Sequence, residues 1–173
     1  MIQEDKELLL KDLCSRLPYE VIGKCELDTS YDTSFDTIFQ THKFDAVIYG
    51  LKEELLFVTP LIEDMDEQEF ANEEVADGVD ILDFIPYLFP LSSMTDEQKR
   101  EFYKFFEEGI TESANETRQW LRTKRADETM RPITIAYVMV HELVIEWLNK
   151  NHFDYRGLIE KGLAIDATNL NIY

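Results

Sequence analysis

Strand-like and helix-like segments occupy different parts of this sequence. Four segments rich in β-branched and aromatic residues predict strands, and all of them end before residue 86 (19–27, 44–51, 55–59 and 78–85). Longer segments with apolar residues at helical spacing follow, beginning near Thr95 and Pro132. Strands grouped ahead of helices, instead of alternating with them, favour an α+β fold. We therefore predict an α+β domain with an N-terminal helix, a small, mostly antiparallel sheet, and C-terminal helices packed on it.

The first helix is predicted over residues 4–17. Charged residues, Asp12 among them, fall outside its apolar stripe, which consists of Leu9, Leu10, Leu13, Cys14 and Leu17. Pro18 is expected to end the helix, because a proline moves the residue before it out of the helical conformation. Cys14 is expected to be a buried, reduced thiol, and two cysteines are too few for a disulfide framework.

Two further helices carry recognisable start signals. Thr95 and Gln98 form a capping box, in which each side chain bonds to the backbone of the other. Pro132 suits the first position of a helix that runs to about Lys150. The β-branched segment 133–141 also fits a strand, so helix and strand both remain open there.

The length of 173 residues predicts one domain over residues 1–173. The first segment, MIQEDKELLLKD, has acidic residues where a secretory signal has basic ones. No uncharged apolar stretch approaches the roughly 20 residues of a membrane span. We therefore expect a cytoplasmic protein that does not bind membranes.

The formal net charge of −19 is the strongest global feature. No basic residue lies between Lys52 and Lys99, and the acid-rich segment 63–77 is expected to be a solvated loop or an exposed helix. Such a charge opposes direct binding to nucleic acid and attracts a basic protein. It also fits a second interpretation, in which the charge serves solubility alone.

Signatures of catalysis are absent from the sequence, and we expect no catalytic residue, cofactor or metal. The segment HELVIEW has Ile145 where a zinc-binding helix would have its second histidine. His141, Glu142 and Glu146 share a polar stripe that suits either acid–base chemistry or the wetted side of a helix. These three residues are therefore kept as candidates for recognition.

The segment NHFDYRGLIEKGLAID, residues 151–166, combines several reactive side chains with turn residues. Asn151 is predicted to end the preceding helix in a left-handed conformation. Asp154 and Gly162 are predicted to cap a short helix over residues 155–161. That leaves His152, Tyr155 and Arg156 as the residues of this segment available for recognition.

Three blocks of the sequence are similar to a family of short bacterial hypothetical proteins, of the gut-anaerobe type, met in phage-like or mobile regions. The blocks are EDKELLLKDLCSRLPYEV, PYLFPLSSMTDEQ and WLNKNHFDYRGLIEKGLAI. The chain departs from the family at Glu20, where glycine is common, at Phe89, where arginine is common, and in its tail DATNLNIY. The family has no assigned activity, so the resemblance implies a bacterial and phage-related setting and no catalytic residues.

Three hypotheses about function follow. The first is a non-enzymatic, acidic interaction or accessory protein that binds a basic protein. The second is an enzyme that uses a pair of histidine and carboxylate, either His141 with Glu142 or Glu146, or His152 with Asp154. The third is a structural oligomer subunit with an aromatic patch at Tyr31, Phe35 and Phe39.

Overall fold

A computed structural model describes residues 2–32, 37–52, 54–62, 71, 75–123 and 132–173 of the chain. It describes the backbone alone at 29–32, 37–40, 113–123 and 132–139. The acid-rich segment 63–77 therefore lies largely outside the described residues.

The described residues form an α+β fold, as predicted. In chain order the elements are helix α1 (Gln3–Arg16), strands β1 (Ile22–Asp32), β2 (Thr37–Lys52), β3 (Leu55–Pro60), β4 (Val79–Asp80) and β5 (Phe84–Pro90), helices α2 (Asp96–Thr123) and α3 (Pro132–Lys150), and strands β6 (Phe153–Asp154) and β7 (Ile165–Asp166). The predicted N-terminal helix, mostly antiparallel sheet and later helices are thus confirmed.

The strands form a mixed sheet in the order β4-β3-β2-β1-β5-β6, and β7 also pairs with β5. β1 pairs with β2 and with β5, β2 pairs with β3, and β3 pairs with β4, and all four pairs are antiparallel. Both β6 and β7 pair with β5 in parallel. The segment after α3 therefore returns to the sheet and lies against β5.

The chain divides into two compact units. The first consists of Met1–Pro90 and His152–Tyr173, and it holds α1 and the sheet. The second is Leu91–Asn151, which holds α2 and α3. The assignment of residues 1–173 to a single domain stays a prediction.

The core of the first unit lies between α1 and the sheet. Leu9 and Leu13 of α1 are buried in one cluster with residues from the strands and from the C-terminal segment, including Val21, Phe84 and Leu158. This core places the end of α1 beside the residues that follow α3.

The buried face of α1 differs from the predicted one. Leu9, Asp12, Leu13 and Arg16 are buried, at the spacing of three, four and seven that one side of a helix requires. Cys14 is exposed, so its predicted burial is wrong. The buried face is rotated relative to the prediction because a charged pair outside the predicted apolar stripe, Asp12 and Arg16, is buried.

Two strand predictions also need correction. The predicted strand over 78–85 is split, because β4 ends at Asp80 and a 3₁₀ turn over Ile81–Asp83 precedes β5. The Asp80 side chain accepts a hydrogen bond from the Leu82 amide and so stabilises this turn. β1 and β2 are also longer than the predicted strands 19–27 and 44–51, because residues 26–32 and 37–43 pair with one another in regular antiparallel register.

The start signals of the later helices are confirmed. Thr95 and Gln98 exchange hydrogen bonds of 2.9 and 3.2 Å just before α2 begins at Asp96. Pro132 begins α3, which includes residues 133–141, so the helix alternative is correct there. Within this second unit the Phe102 ring of α2 meets the Trp147 ring of α3 edge-on, with 5.1 Å between centroids.

Candidate functional site

The C-terminal end of α1 contains a fully buried ion pair. The guanidinium of Arg16 donates from Nε and Nη2 to the carboxylate of Asp12, over 2.6 and 3.2 Å, and neither side chain is exposed. Arg156 donates from Nε to the same carboxylate over 3.1 Å. One buried carboxylate therefore lies between two guanidinium groups, and this arrangement keeps both of its oxygens occupied.

The backbone of the segment after α3 forms a hydrogen bond with this ion pair. Arg16 donates from Nη2 to the carbonyl of Phe153 over 2.7 Å. Asp154 accepts hydrogen bonds from the amides of Arg156, Leu158 and Ile159, over 2.9 to 3.1 Å. Asp154 thus stabilises a series of turns, and the predicted helix over 155–161 with Asp154 and Gly162 as its caps is wrong, because the Asp154 carboxylate gathers these amides in a non-helical segment.

Tyr155 lies against both arginines. Its ring centroid is 5.3 Å from Cζ of Arg16 and 4.8 Å from Cζ of Arg156, which are distances of cation–π contacts. The ring therefore holds the two guanidinium groups in a defined arrangement next to the segment that supplies Phe153.

His152 occupies the left-handed backbone region, with φ of 56°. The prediction had assigned that conformation to Asn151, which instead donates from its side chain to the Trp147 carbonyl over 2.9 Å. The His152 ring stacks on the Tyr173 ring, with 3.8 Å between centroids and 13° between planes. Burial, reinforced by the nearby Arg16 guanidinium, lowers the pKa of His152 to about 4, so the imidazole is neutral at pH 7.

These side chains form one group, the Arg16 cluster, which consists of Asp12, Arg16, His152, Tyr155 and Arg156. Three of its buried polar atoms have no hydrogen-bond partner among the described residues: Nη1 of Arg16, Nδ1 of His152 and the hydroxyl of Tyr155. Buried polar groups are nearly always paired in folded proteins. Three of the unpaired atoms belong to this one group.

The unpaired atoms of the Arg16 cluster are one obligatory donor, Nη1 of Arg16, and two groups that can donate or accept, the Tyr155 hydroxyl and Nδ1 of His152. An arginine is always charged and can only donate, whereas a tyrosine hydroxyl and a neutral imidazole each can donate. A cation would meet two guanidinium groups here. The part of the chain that the structure describes also contains no group of three or more histidine, cysteine, aspartate or glutamate residues arranged to hold a metal ion.

The structure brings together three of the six predicted recognition residues. His152, Tyr155 and Arg156 belong to the Arg16 cluster, but His141, Glu142 and Glu146 are exposed on α3 in the second unit. Whether any of the six takes part in recognition stays a prediction. The side chains of Tyr31, Phe35 and Phe39, predicted to form an aromatic patch, lie outside the described residues.

Sequence reasoning missed Asp12 and Arg16. Their one signal is an acid and a base four positions apart on α1, and such pairs are more often exposed. Tyr173 was also missed, since no pattern connects it with His152. Its hydroxyl donates to the Tyr87 carbonyl over 2.9 Å, which holds its ring beside the histidine.

Neither a family model nor a curated protein nor a solved structure matches this chain. The resemblance to short bacterial proteins consequently remains an expectation. Among the described residues, no helix combines the length and the apolar character that crossing a membrane would require.

Proposed function

We propose that this protein is a non-enzymatic, acidic interaction protein that binds a basic protein in the bacterial cytoplasm, as an accessory factor of the phage or mobile-element type. The bacterial and phage-related part of the proposal rests on the sequence resemblance alone. The binding of a basic partner rests on charge.

The observation that carries the proposal is the large excess of carboxylates over available bases. The net charge is −19, and several bases are already engaged with the protein's own acids. The bases found within 4.0 Å of a carboxylate are Lys6, Arg16, Lys43, Lys99, Lys104, Arg156 and Lys161. Pairing of this kind leaves the surplus acids without an internal counter-charge, so they attract basic surfaces from outside.

Some acidic side chains of the first unit lie near enough to affect one another. Partial burial raises the pKa of Asp83, and the neighbouring carboxylates of Asp80 and Asp28 raise it further. A carboxylate held near others of the same sign is stabilised by any cation that approaches. A lysine- or arginine-rich partner supplies such cations.

The proposal is tested by immobilising the protein, exposing it to a bacterial lysate, and eluting at about 50 mM and about 500 mM salt before mass spectrometry. We expect a basic protein that is retained at low salt and released at high salt, because screening weakens contacts between exposed charges. The affinity of the purified partner is then measured against salt concentration. Retention that does not depend on salt would contradict a charge-driven interaction.

Two triple variants with the same loss of charge locate the contact. One is Asp28→Asn, Asp80→Asn and Asp83→Asn in the first unit; the other is Glu97→Gln, Glu101→Gln and Glu107→Gln, at exposed positions of α2. If a specific face of the first unit binds the partner, only the first variant loses affinity. If the overall field of the protein is responsible, both variants lose it equally.

The enzyme hypothesis gains no support from a His152–Asp154 pair, because the Asp154 carboxylate accepts three backbone amides. His141, Glu142 and Glu146 are exposed, which suits the wetted side of a helix. Both observations favour the interaction protein over an enzyme.

A further inference from the structure

We propose that the Arg16 cluster is a binding site for a small oxyanion, a carboxylate or a phosphate, which accepts hydrogen bonds from Arg16, Tyr155 and His152. This proposal is independent of the proposed function, because it concerns a buried group of side chains and not the acidic surface.

The first support is the unpaired atom on Arg16. Its Nε and Nη2 are occupied by Asp12 and by the Phe153 carbonyl, while Nη1 has no partner among the described residues, although the side chain is fully buried. A buried guanidinium nitrogen left without an acceptor is costly. A bound oxygen atom removes that cost.

The second support is that the other two unpaired atoms belong to neighbours of the same guanidinium. The ring of Tyr155 is 5.3 Å from Cζ of Arg16, and the charge of Arg16 acts on His152. His152 directly precedes Phe153, whose carbonyl Arg16 already binds, and Tyr155 follows Phe153 by two positions. The three unpaired atoms therefore belong to Arg16 and to two residues that act on it, and the proposed ligand meets them with two or three oxygens.

The third support is that one of the two carboxylates near the guanidinium groups is bonded elsewhere. The buried carboxylate of Asp12 lies between two guanidinium groups, and the nearby Asp154 carboxylate brings the formal charge of these four groups to zero. The Asp154 carboxylate is held by three backbone amides, that of Arg156 among them, and the described contacts include no hydrogen bond from it to either guanidinium group. Charge-assisted hydrogen bonds from arginine to carboxylate or phosphate are among the strongest in proteins.

A ligand can approach the cluster from the side where its residues are partly exposed. His152, Tyr155 and Arg156 are partly exposed, and the Arg156 side chain retains 18% of its accessible surface. The three unpaired atoms themselves are buried, so the proposal requires these partly exposed side chains to move when a ligand enters. This restricts the ligand to a small oxyanion or to the end of a larger molecule that carries one.

The test follows the histidine ring signals by NMR at pH 7 while inorganic phosphate or acetate is added, with sodium chloride keeping ionic strength constant. We expect a saturable change in the His152 signal, with His42 and His141 as internal references. Bound anion is also expected to raise the His152 pKa, because it stabilises the imidazolium. Stronger binding of phosphate than of acetate, or the reverse, identifies which of the two anions the site prefers.

Tyr155→Phe removes the hydroxyl and keeps the ring between the arginines. We expect it to weaken anion binding about tenfold, the usual value of a hydrogen bond to a charged group. Tyr49→Phe is the matched control, because Tyr49 is 68% exposed and outside the Arg16 cluster, and it should leave the affinity unchanged. The left-handed backbone at His152 tolerates His152→Asn, which identifies the His152 signal.

Two results would overturn the proposal. One is the absence of any saturable change at His152 with about 100 mM phosphate or acetate. The other is equal affinity of Tyr155→Phe and the unchanged protein, because the hydroxyl would then not contact the anion. A crystal grown in either anion with only water at Nη1 of Arg16 would agree with the first result.

Discussion

At the scale of single residues, the burial of Asp12 and Arg16 is the feature with the largest energetic consequence. Both side chains have no exposed surface, and their hydrogen bonds compensate the loss of hydration. Such a pair contributes modest net stability, but the loss of one partner leaves the other charge buried and uncompensated.

Asp12→Asn is therefore expected to lower the free energy of unfolding by about 3–5 kcal/mol, measured by urea titration. Glu26→Gln is the control, because the Glu26–Lys43 pair is exposed and its loss should cost under about 1 kcal/mol. If Asp12→Asn does not fold, the double variant Asp12→Leu with Arg16→Met should fold better. Equal, small losses for Asp12→Asn and Glu26→Gln would contradict the burial of the pair.

His152 makes the stability depend on pH. Its pKa of about 4 in the folded protein lies below the ordinary value of 6.5, so the folded state favours the neutral ring. The stabilisation is complete above about pH 6.5 and is lost as the pH falls to about 4. After a discount for partial exposure, we expect a loss on the order of 2 kcal/mol.

The measurement compares urea midpoints between pH 7 and pH 4 for the unchanged protein and for His152→Asn. The charged group that faces the ring is Arg16, and Tyr173 covers it on one side. The variant should lose less stability over this range, whereas His141→Asn, at an exposed position, should behave as the unchanged protein does. Parallel curves for all three proteins would exclude His152 as a cause.

At the scale of elements, the contact between β1 and β5 depends on Gly23. It pairs with Pro86, and a Cβ at this position would overlap the Phe84 ring and lie 2.7 Å from the Ile85 carbonyl oxygen. The small residue thus lets a buried phenylalanine pack directly on the strand.

Gly23→Ala is expected to lower the free energy of unfolding by about 1–3 kcal/mol, because the added methyl group forces Phe84 or the backbone to move. Gly50→Ala is the matched control in β2, where the nearest atom to an added Cβ is 3.6 Å away, an ordinary contact. Urea titration of both variants tests the prediction. Equal stability of Gly23→Ala and Gly50→Ala would show that β5 can move without cost.

At the scale of the whole molecule, the net charge of −19 opposes the compact state through repulsion. We expect the melting temperature to rise when sodium chloride increases from about 10 mM to about 500 mM, because the screening length falls several-fold. The triple variant Glu97→Gln, Glu101→Gln and Glu107→Gln should show a smaller rise. A melting temperature that falls with salt would mean that attractive ion pairs outweigh the repulsion.

Features that depend on residues close together in the chain were predicted correctly, and features that depend on distant residues were not. The capping box of Thr95 and Gln98 and the start of α3 at Pro132 were predicted correctly, since these signals depend on residues within one turn. The split of 78–85 was missed, because a side-chain bond from Asp80 and strand pairing on both sides decide it. Cys14 was misplaced, because burial of α1 is set by what packs on it.

The sequence by itself therefore determined the α+β class, the main helix boundaries and the strong negative charge of this protein. Only the tertiary structure decided which face of α1 is buried and what its charged residues meet. The partners of Arg16 and Asp12 at Phe153 and Arg156 lie 137 and 144 positions further along the chain. No local pattern specifies contacts over such separations, because they form only when the segment after α3 pairs with β5 and packs beside α1.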